Sequence, residues 1–168
     1  MQVSIRLMQQ ADLPAVIALQ DSCYSDVLYE PPALLAARLA SATQSCWLAE
    51  NTAGELLAYL FSYPSRLGKI TFLATAFDVA KMPELLYLHD MAVSEKARGL
   101  GLARALLAKA EQFSHSLSLH QLGLVAVQGS VSYWQKQGFI VQTKLSVDAK
   151  AALSSYTGER AQYMLKRW

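Results

Sequence analysis

The segment HDMAVSEKARGLGLARALLAKAEQF, residues 89–113, decides the fold. Its first residues close an apolar run, LLYLHDMAV (85–93), that reads as a central strand. Further on, Leu102, Leu106, Leu107, Ala110 and Phe113 recur at helical spacing, with Arg104, Lys109, Glu111 and Gln112 on the other side, so residues 99 to about 117 read as a helix. Gly99 and Gly101, two of 8 glycines in the chain, stand where strand gives way to helix. Glycine there lets the backbone bend and removes Cβ atoms that would block a ligand. A helix start carries unpaired N–H groups and a positive dipole end, which together favour an anion, most often a phosphate. Arg98 adds planar cationic donors at the mouth of the turn.

Three phosphate-binding patterns compete for this turn. A P-loop needs Gly-Lys-Ser/Thr, but Leu102 and Ala103 follow Gly101. A dinucleotide turn needs a third glycine where Arg104 stands, and an acidic residue closing the next strand, which is absent. The pattern [Gln/Arg]-x-x-Gly-x-[Gly/Ala] is met in full by Arg98-Gly99-Leu100-Gly101-Leu102-Ala103. By itself it is short, and a glycine turn that only packs a helix on a sheet would also satisfy it.

Outward from this segment, VSIRLMQ alternates and reads as a first strand, after which Asp12 caps a helix with Pro14 in its first turn. PPALLAARLAS (31–41) reads as a second helix, and CWLAEN, a turn at 52–54 and ELLAYLFSYP as a hairpin. Residues 64–84 read as a loop with at most a short strand in ITFLATAF, a place for a substrate lid. QLGLVAV is the next strand, SVSYWQKQ a short helix stopped by Gly138, FIVQTKL a strand and AQYMLKRW the last one. The order β-α-α-β-β-β-α-β-α-β-β predicts an α/β (α+β) fold, a mixed sheet covered by helices, with residues 1–168 forming a single domain.

The 168 residues, 53% hydrophobic and 17% charged, suffice for one packed core. The formal charge of +2 is scattered without a basic face, which argues against a nucleic-acid partner. No apolar stretch approaches the roughly 20 residues that span a bilayer, and the N-terminus lacks the pattern of a signal peptide. Cys23 and Cys46 fit no zinc or CxxC spacing. A cytoplasmic protein with reduced thiols and no metal site is expected.

The sequence resembles the GCN5-related N-acetyltransferases (GNAT family). LHDMAVSEKARGLGLARALLAKAE looks like that family's central strand, cofactor turn and helix, LVAVQGSVSYWQKQGF like its next strand and short helix ending in Gly138-Phe139, and YMLKRW like its closing strand. YLHDMAV and FSYP are similar to the arylalkylamine N-acetyltransferase branch. The resemblance implies a sheet splayed between two strands, acetyl-CoA as co-substrate, and direct acetyl transfer to a primary amine, with a small molecule as the acceptor and a protein N-terminus or lysine as the alternative. It implies a monomer or homodimer.

Residue by residue, the amides of Gly99, Leu100, Gly101, Leu102 and Ala103, with Arg98, would cradle the pyrophosphate. Met91, Ala92 and Val93 would line the pantetheine arm, with Met91 and Val93 supplying backbone bonds and the N–H near Met91 polarising the thioester. Gln128 lies one residue short of a family asparagine that touches pantetheine. A free alkylamine has a pKa of about 10.4, so it must lose a proton before it attacks, and a base helps. His89 and Asp90 are the base candidates. His89 shares the face of Met91 in a regular strand, and neighbours in a strand point to opposite faces unless a bulge intervenes. Each also has a plain reading, His89 as a hydrogen-bonded core residue and Asp90 as the partner of a basic side chain. The family's usual acid, a tyrosine, is replaced by Trp134, and its neighbour Tyr133 is the candidate substitute, although helix neighbours differ by about 100° in direction. Trp134 would then pack near the cofactor's sulfur. Tyr24, Tyr29, Glu30 and Tyr63 are candidates for the acceptor pocket, Glu30 reading equally as a solvated or helix-capping carboxylate. Trp134 also keeps open a non-catalytic acyl-CoA-binding module, and beyond it a partner-binding protein without cofactor.

Overall fold

A computed structural model describes residues 2–24, 28–156 and 160–168. Seven strands form one sheet in the order β1-β2-β3-β4-β5-β7-β6. They are β1 (Val3–Leu7), β2 (Cys46–Asn51), β3 (Leu56–Ser65), β4 (Leu85–Val93), β5 (Gln121–Ala126), β6 (Ile140–Val141) and β7 (Gln162–Arg167). The helices are α1 (Leu13–Cys23), α2 (Pro32–Ser41), α3 (Leu102–Ser116), α4 (Val131–Lys136) and α5 (Val147–Ser154). This is the mixed α/β architecture expected.

The sheet separates two cores. On one face α1, α2 and α5 cover Leu48, Tyr59, Phe61, Tyr63, Tyr87 and their neighbours. On the other α3 lays Leu102, Leu106, Leu107 and Ala110 against Leu60, Leu86, Leu88 and Leu124. That stripe lies at the i, i+4, i+5, i+8 positions that an amphipathic helix presents on one side.

Three local readings change, while the loop reading of 66–84 holds. Asp12 does not cap α1 with its side chain; a short 3-10 turn over Gln10–Asp12 precedes the helix. Its carboxylate instead accepts the Gln9 N–H at 2.7 Å and pairs with Arg6 at 2.8 Å. The segment 66–84 holds no strand, although Ile70, Thr71 and Phe77 within it are buried. FIVQTKL shrinks to the two residues of β6, because pairing with β7 stops after Val141↔Met164. Helix α5 was not expected; Ser146 caps it by accepting the Ala149 N–H at 3.0 Å.

Two irregularities in β4 create the space for a site. First, β4 and β5 run parallel but pair only over Leu86–Leu88 and Leu122–Leu124. Beyond Leu88 they part, while β5 stays paired to β7 as far as Ala126. Second, the register with β3 goes from Phe61↔Asp90 to Ser62↔Leu88, leaving His89 as the extra residue of a β-bulge. Before the bulge, Leu85 and Tyr87 face the α1/α2 core; after it, Ala92 does, while Met91 and Val93 pack on the α3 side. The bulge therefore reverses the alternation at its centre.

Candidate functional site

The consequence for His89 and Asp90 is direct. Both side chains point to the α1/α2 face, His89 against Phe77 and Glu30, and Asp90 toward Tyr59. A regular strand would have separated them. His89 does not share a face with Met91, contrary to the expectation for an unbulged strand.

Glu30 is the centre of a buried array. Its Oε1 lies 2.9 Å from His89 Nε2. Its Oε2 accepts the Ala74 N–H at 2.8 Å and pairs with Arg38 Nη2 at 2.7 Å. Arg38, fully buried on α2, donates its Nε to Thr75 O at 2.8 Å and lies over the Phe77 ring. Glu30 is thus neither a solvated nor a capping carboxylate. Burial alone would raise its pKa, but His89 and Arg38 overcome that and hold it well below the ordinary carboxylate range. With Nε2 engaged by Glu30, the other ring nitrogen of His89, Nδ1, is buried and has no hydrogen-bond partner among the described residues.

Asp90 is the opposite case. Burial pushes its pKa up, against the influence of His89. Tyr59 donates its O–H to Oδ2 at 2.9 Å, and Oδ1 is buried and unpartnered. Buried polar atoms are nearly always satisfied, so two orphaned polar atoms on adjacent residues mark a place where something else binds.

Both residues border two adjoining clefts. One lies in the opening between β4 and β5 and is lined by Met91, Gln128 and Trp134 as well as His89 and Asp90. The second lies on the α1 side and adds Leu28, Glu30, Leu73 and Tyr156. Tyr24 borders both. Its hydroxyl donates to Met91 O at 2.6 Å, and Cys23 Sγ lies 3.6 Å from Val93 O. The backbone groups of Met91 and Val93 therefore face the opening rather than β3, as residues of a non-hydrogen-bonded antiparallel pair do.

A third groove lies at the start of α3, with Val93, Arg98, Gly99, Gly101, Ala103 and Tyr133 along its wall. Gly99 and Gly101 have φ of +83° and +74°, and a Cβ built on either meets nothing within 4 Å. The glycines serve the left-handed turn and leave open space in front of it. The Leu100 N–H is held by Ala97 O at 3.3 Å, while the first turn of α3 presents N–H donors that a helix start leaves without intrahelical partners. Arg98 is exposed and lies 3.7 Å from Glu95.

The remaining candidates fall elsewhere. Tyr133 lies in the α3 groove, edge-on to Trp134, while Trp134 itself lines the cleft of His89 and packs on Phe139. Tyr63 is buried behind the site, stacked on Phe77 at 4.3 Å and bonded to Thr71 Oγ1. Tyr29 is exposed beside Glu30, and Ala92 is buried in β4. Arg38, Leu73 and Tyr156 were not singled out from the sequence. Arg38 carried a signal, since it shares the buried stripe of Leu35 and Leu39 on α2, where a charge needs a partner. Among the described residues, no cluster of His, Cys, Asp and Glu could hold a metal, and no helix is long and apolar enough to cross a membrane.

Comparison with known proteins identifies the family and the fold. The profile of the acetyltransferase (GNAT) family matches residues 13–139. No curated protein matches the chain. Among solved structures, the loading GNATL domain of CurA from Lyngbya majuscula superposes with a TM-score of 0.76 at 14% identity, covering 99% of this chain and 98% of that one. The GphF GNAT-like decarboxylase in complex with isobutyryl-CoA gives 0.74 at 15% identity, covering 98% of each. The ribosomal-protein-S18-alanine N-acetyltransferase from Escherichia coli gives 0.69 at 15% identity, covering 99% of this chain and 94% of that one. These likenesses establish the fold; they do not single out the arylalkylamine branch.

Proposed function

Because the chain belongs to the acetyltransferase (GNAT) family, we propose that it transfers the acetyl group of acetyl-CoA directly to a primary amine of a small molecule. The observation that carries this reading is the pair of buried, unpartnered acceptors, His89 Nδ1 and Asp90 Oδ1, where the β4–β5 opening meets the α1-side cleft. A module that only binds CoA has no use for two unsatisfied acceptors at that point, each of which costs stability.

The co-substrate fits the grooves along β4 and at the start of α3. The diphosphate is received by the first turn of α3, by the open space before Gly99 and Gly101, and by Arg98. The pantetheine arm follows the unpaired edge of β4, where Met91 and Val93 present backbone groups, with Gln128 and Trp134 as the opposite wall. The Met91 N–H polarises the thioester carbonyl and strengthens its hydrogen bond as negative charge grows on that oxygen.

The acceptor enters from the α1 side. That cleft has apolar walls in Leu28, Leu73, Val127 and Tyr156, and it carries the carboxyl groups of Glu30 and Asp90 beside His89. Such a lining favours an ammonium group on a compact body over an acid. His89 Nδ1 takes the proton that the amine must lose, and Glu30 holds the ring in the tautomer that can accept it. Asp90 orients the incoming nitrogen through Oδ1. The acylated nitrogen, not a covalent enzyme intermediate, is the direct product.

Acetyl-CoA-dependent thiol release against aryl-alkylamines, polyamines, amino acids, aminoglycosides and short peptides tests the reading. Turnover with a small amine is expected. No release across the panel, with CoA still raising the melting temperature, would favour the acyl-CoA-binding module; preference for peptides would move the acceptor to a protein.

A further inference from the structure

The transfer needs a proton at its other end. Even a cysteine thiol has a pKa of about 8.5 and a simple alkyl thiol is less acidic, so a thiolate leaving at neutral pH is helped by a donor that meets it. Trp134, which lines the cleft, offers an indole N–H that hydrogen-bonds but does not transfer its proton. Tyr133 lies in the α3 groove. Tyr59 spends its O–H on Asp90, and Tyr156 gives its own to Thr71 O at 2.8 Å.

We propose that Tyr24, at the C-terminal end of α1, is the proton donor to the departing CoA thiolate; this role rests on the acetyl-transfer reading above. Tyr24 borders both clefts and therefore stands where acyl donor and acceptor meet. Its hydroxyl is 2.6 Å from Met91 O, on the same residue whose N–H addresses the thioester carbonyl. The sulfur is one bond from that carbonyl carbon, so the phenol lies beside the bond that breaks. Its present acceptor is a backbone carbonyl, and rotation about the C–O bond turns the proton from that carbonyl to the sulfur. Burial, and then the nearby Asp90, push the phenol well above its ordinary pKa, so it stays protonated until a stronger base appears beside it.

The step balances without another reactant. The ammonium first gives one proton to His89 Nδ1, which passes it to water; the freed amine lone pair then forms the C–N bond and the C=O π pair moves to oxygen. That pair then re-forms C=O while the C–S bond breaks, its electrons leaving on sulfur. The nitrogen's second proton goes to His89 Nδ1, and the Tyr24 proton goes to sulfur, giving the free thiol. After release, water returns a proton to the phenolate and takes one from His89.

Tyr24→Phe keeps the ring and removes only the donor. Its kcat and acetyl-CoA KM are measured with the best amine, and the affinities of wild type and variant for CoA and desulfo-CoA are measured by calorimetry at pH 9. A donor role predicts a kcat about 100-fold lower with KM within about threefold. It also predicts that wild type prefers CoA, part of which is thiolate at that pH, over desulfo-CoA severalfold, and that the variant loses this preference. Unchanged kcat, or a raised KM with intact kcat, would show that the hydroxyl merely braces Met91 and would overturn the proposal. A wild type that prefers neither ligand would overturn it independently of turnover. A wild type that binds CoA but acetylates no amine would overturn the acetyl-transfer reading itself, and Tyr24's role with it.

Discussion

Glu30 Oε1 lies 2.9 Å from His89 Nε2, although the two residues are 59 apart in sequence. The contact is one end of a buried chain that runs from Thr75 through Arg38 and Glu30 to His89. Removing one member leaves the rest with uncompensated charge, which typically costs about 3–5 kcal/mol. Glu30→Gln is therefore expected to lower unfolding free energy by about 3 kcal/mol, read by urea titration. Adding Arg38→Met should restore part of that loss, because the orphaned guanidinium goes too. A double mutant no more stable than Glu30→Gln would show that the ion pair is not what holds this corner. Activity should fall in both, since His89 loses the partner that fixes its tautomer.

Asp90 and Glu30 give opposite pH dependences. Glu30 has a lowered pKa in the fold, so its stabilisation is present above the unfolded value of about 4.3 and fades as pH falls below it. Asp90 has a raised pKa, so the native state binds its proton more tightly than the unfolded chain does. Its contribution is full below about 3.9 and is lost as pH rises through the raised native value. Asp90→Asn removes that loss. The melting temperature of the variant relative to wild type should therefore rise between pH 4 and pH 7, while kcat falls. A difference that stays constant over this interval would mean that Asp90 is not destabilised by ionising.

The strand, glycine turn and helix of residues 85–116 were legible because each signal is local: an apolar run, two glycines and a helical stripe. The junction between them is also where the positive φ values occur. The bulge was not legible. LLYLHDMAV is nearly continuous in apolar residues and has no glycine or proline to mark a break, so period-two reasoning put His89 and Asp90 on opposite faces. Glu30 was readable as a candidate but not as a buried ion, because its partners come from α2 and β4. Helix α5 escaped because VDAKAALS gives its buried face to Ala149 and Ala152, small residues that draw no apolar stripe.

The two cysteines should differ in reactivity. Cys46 is wholly buried, and burial pushes its thiol up to about 12. Cys23 is only half-buried and sits at Val93 O, on the edge assigned to pantetheine. Maleimide labelling of the native protein followed by peptide mass mapping should modify Cys23 and leave Cys46 untouched, and saturating CoA should slow the reaction at Cys23. Labelling unaffected by CoA would argue that the arm does not follow the β4 edge.

Gly101→Ala separates fold from ligand at the turn. The residue sits at φ +74° with no atom within 4 Å of a built Cβ, so alanine meets no clash in the protein itself. The cost to stability is the left-handed conformation alone, about 1 kcal/mol. The new methyl group, however, projects into the groove in front of the α3 N-terminus, where the diphosphate would approach the backbone. Calorimetric titration should therefore show CoA bound at least tenfold more weakly, while the unliganded protein melts only a few degrees lower. If CoA affinity were unchanged in a folded Gly101→Ala protein, the diphosphate would have to bind elsewhere, and the placement of acetyl-CoA along β4 would lose its anchor.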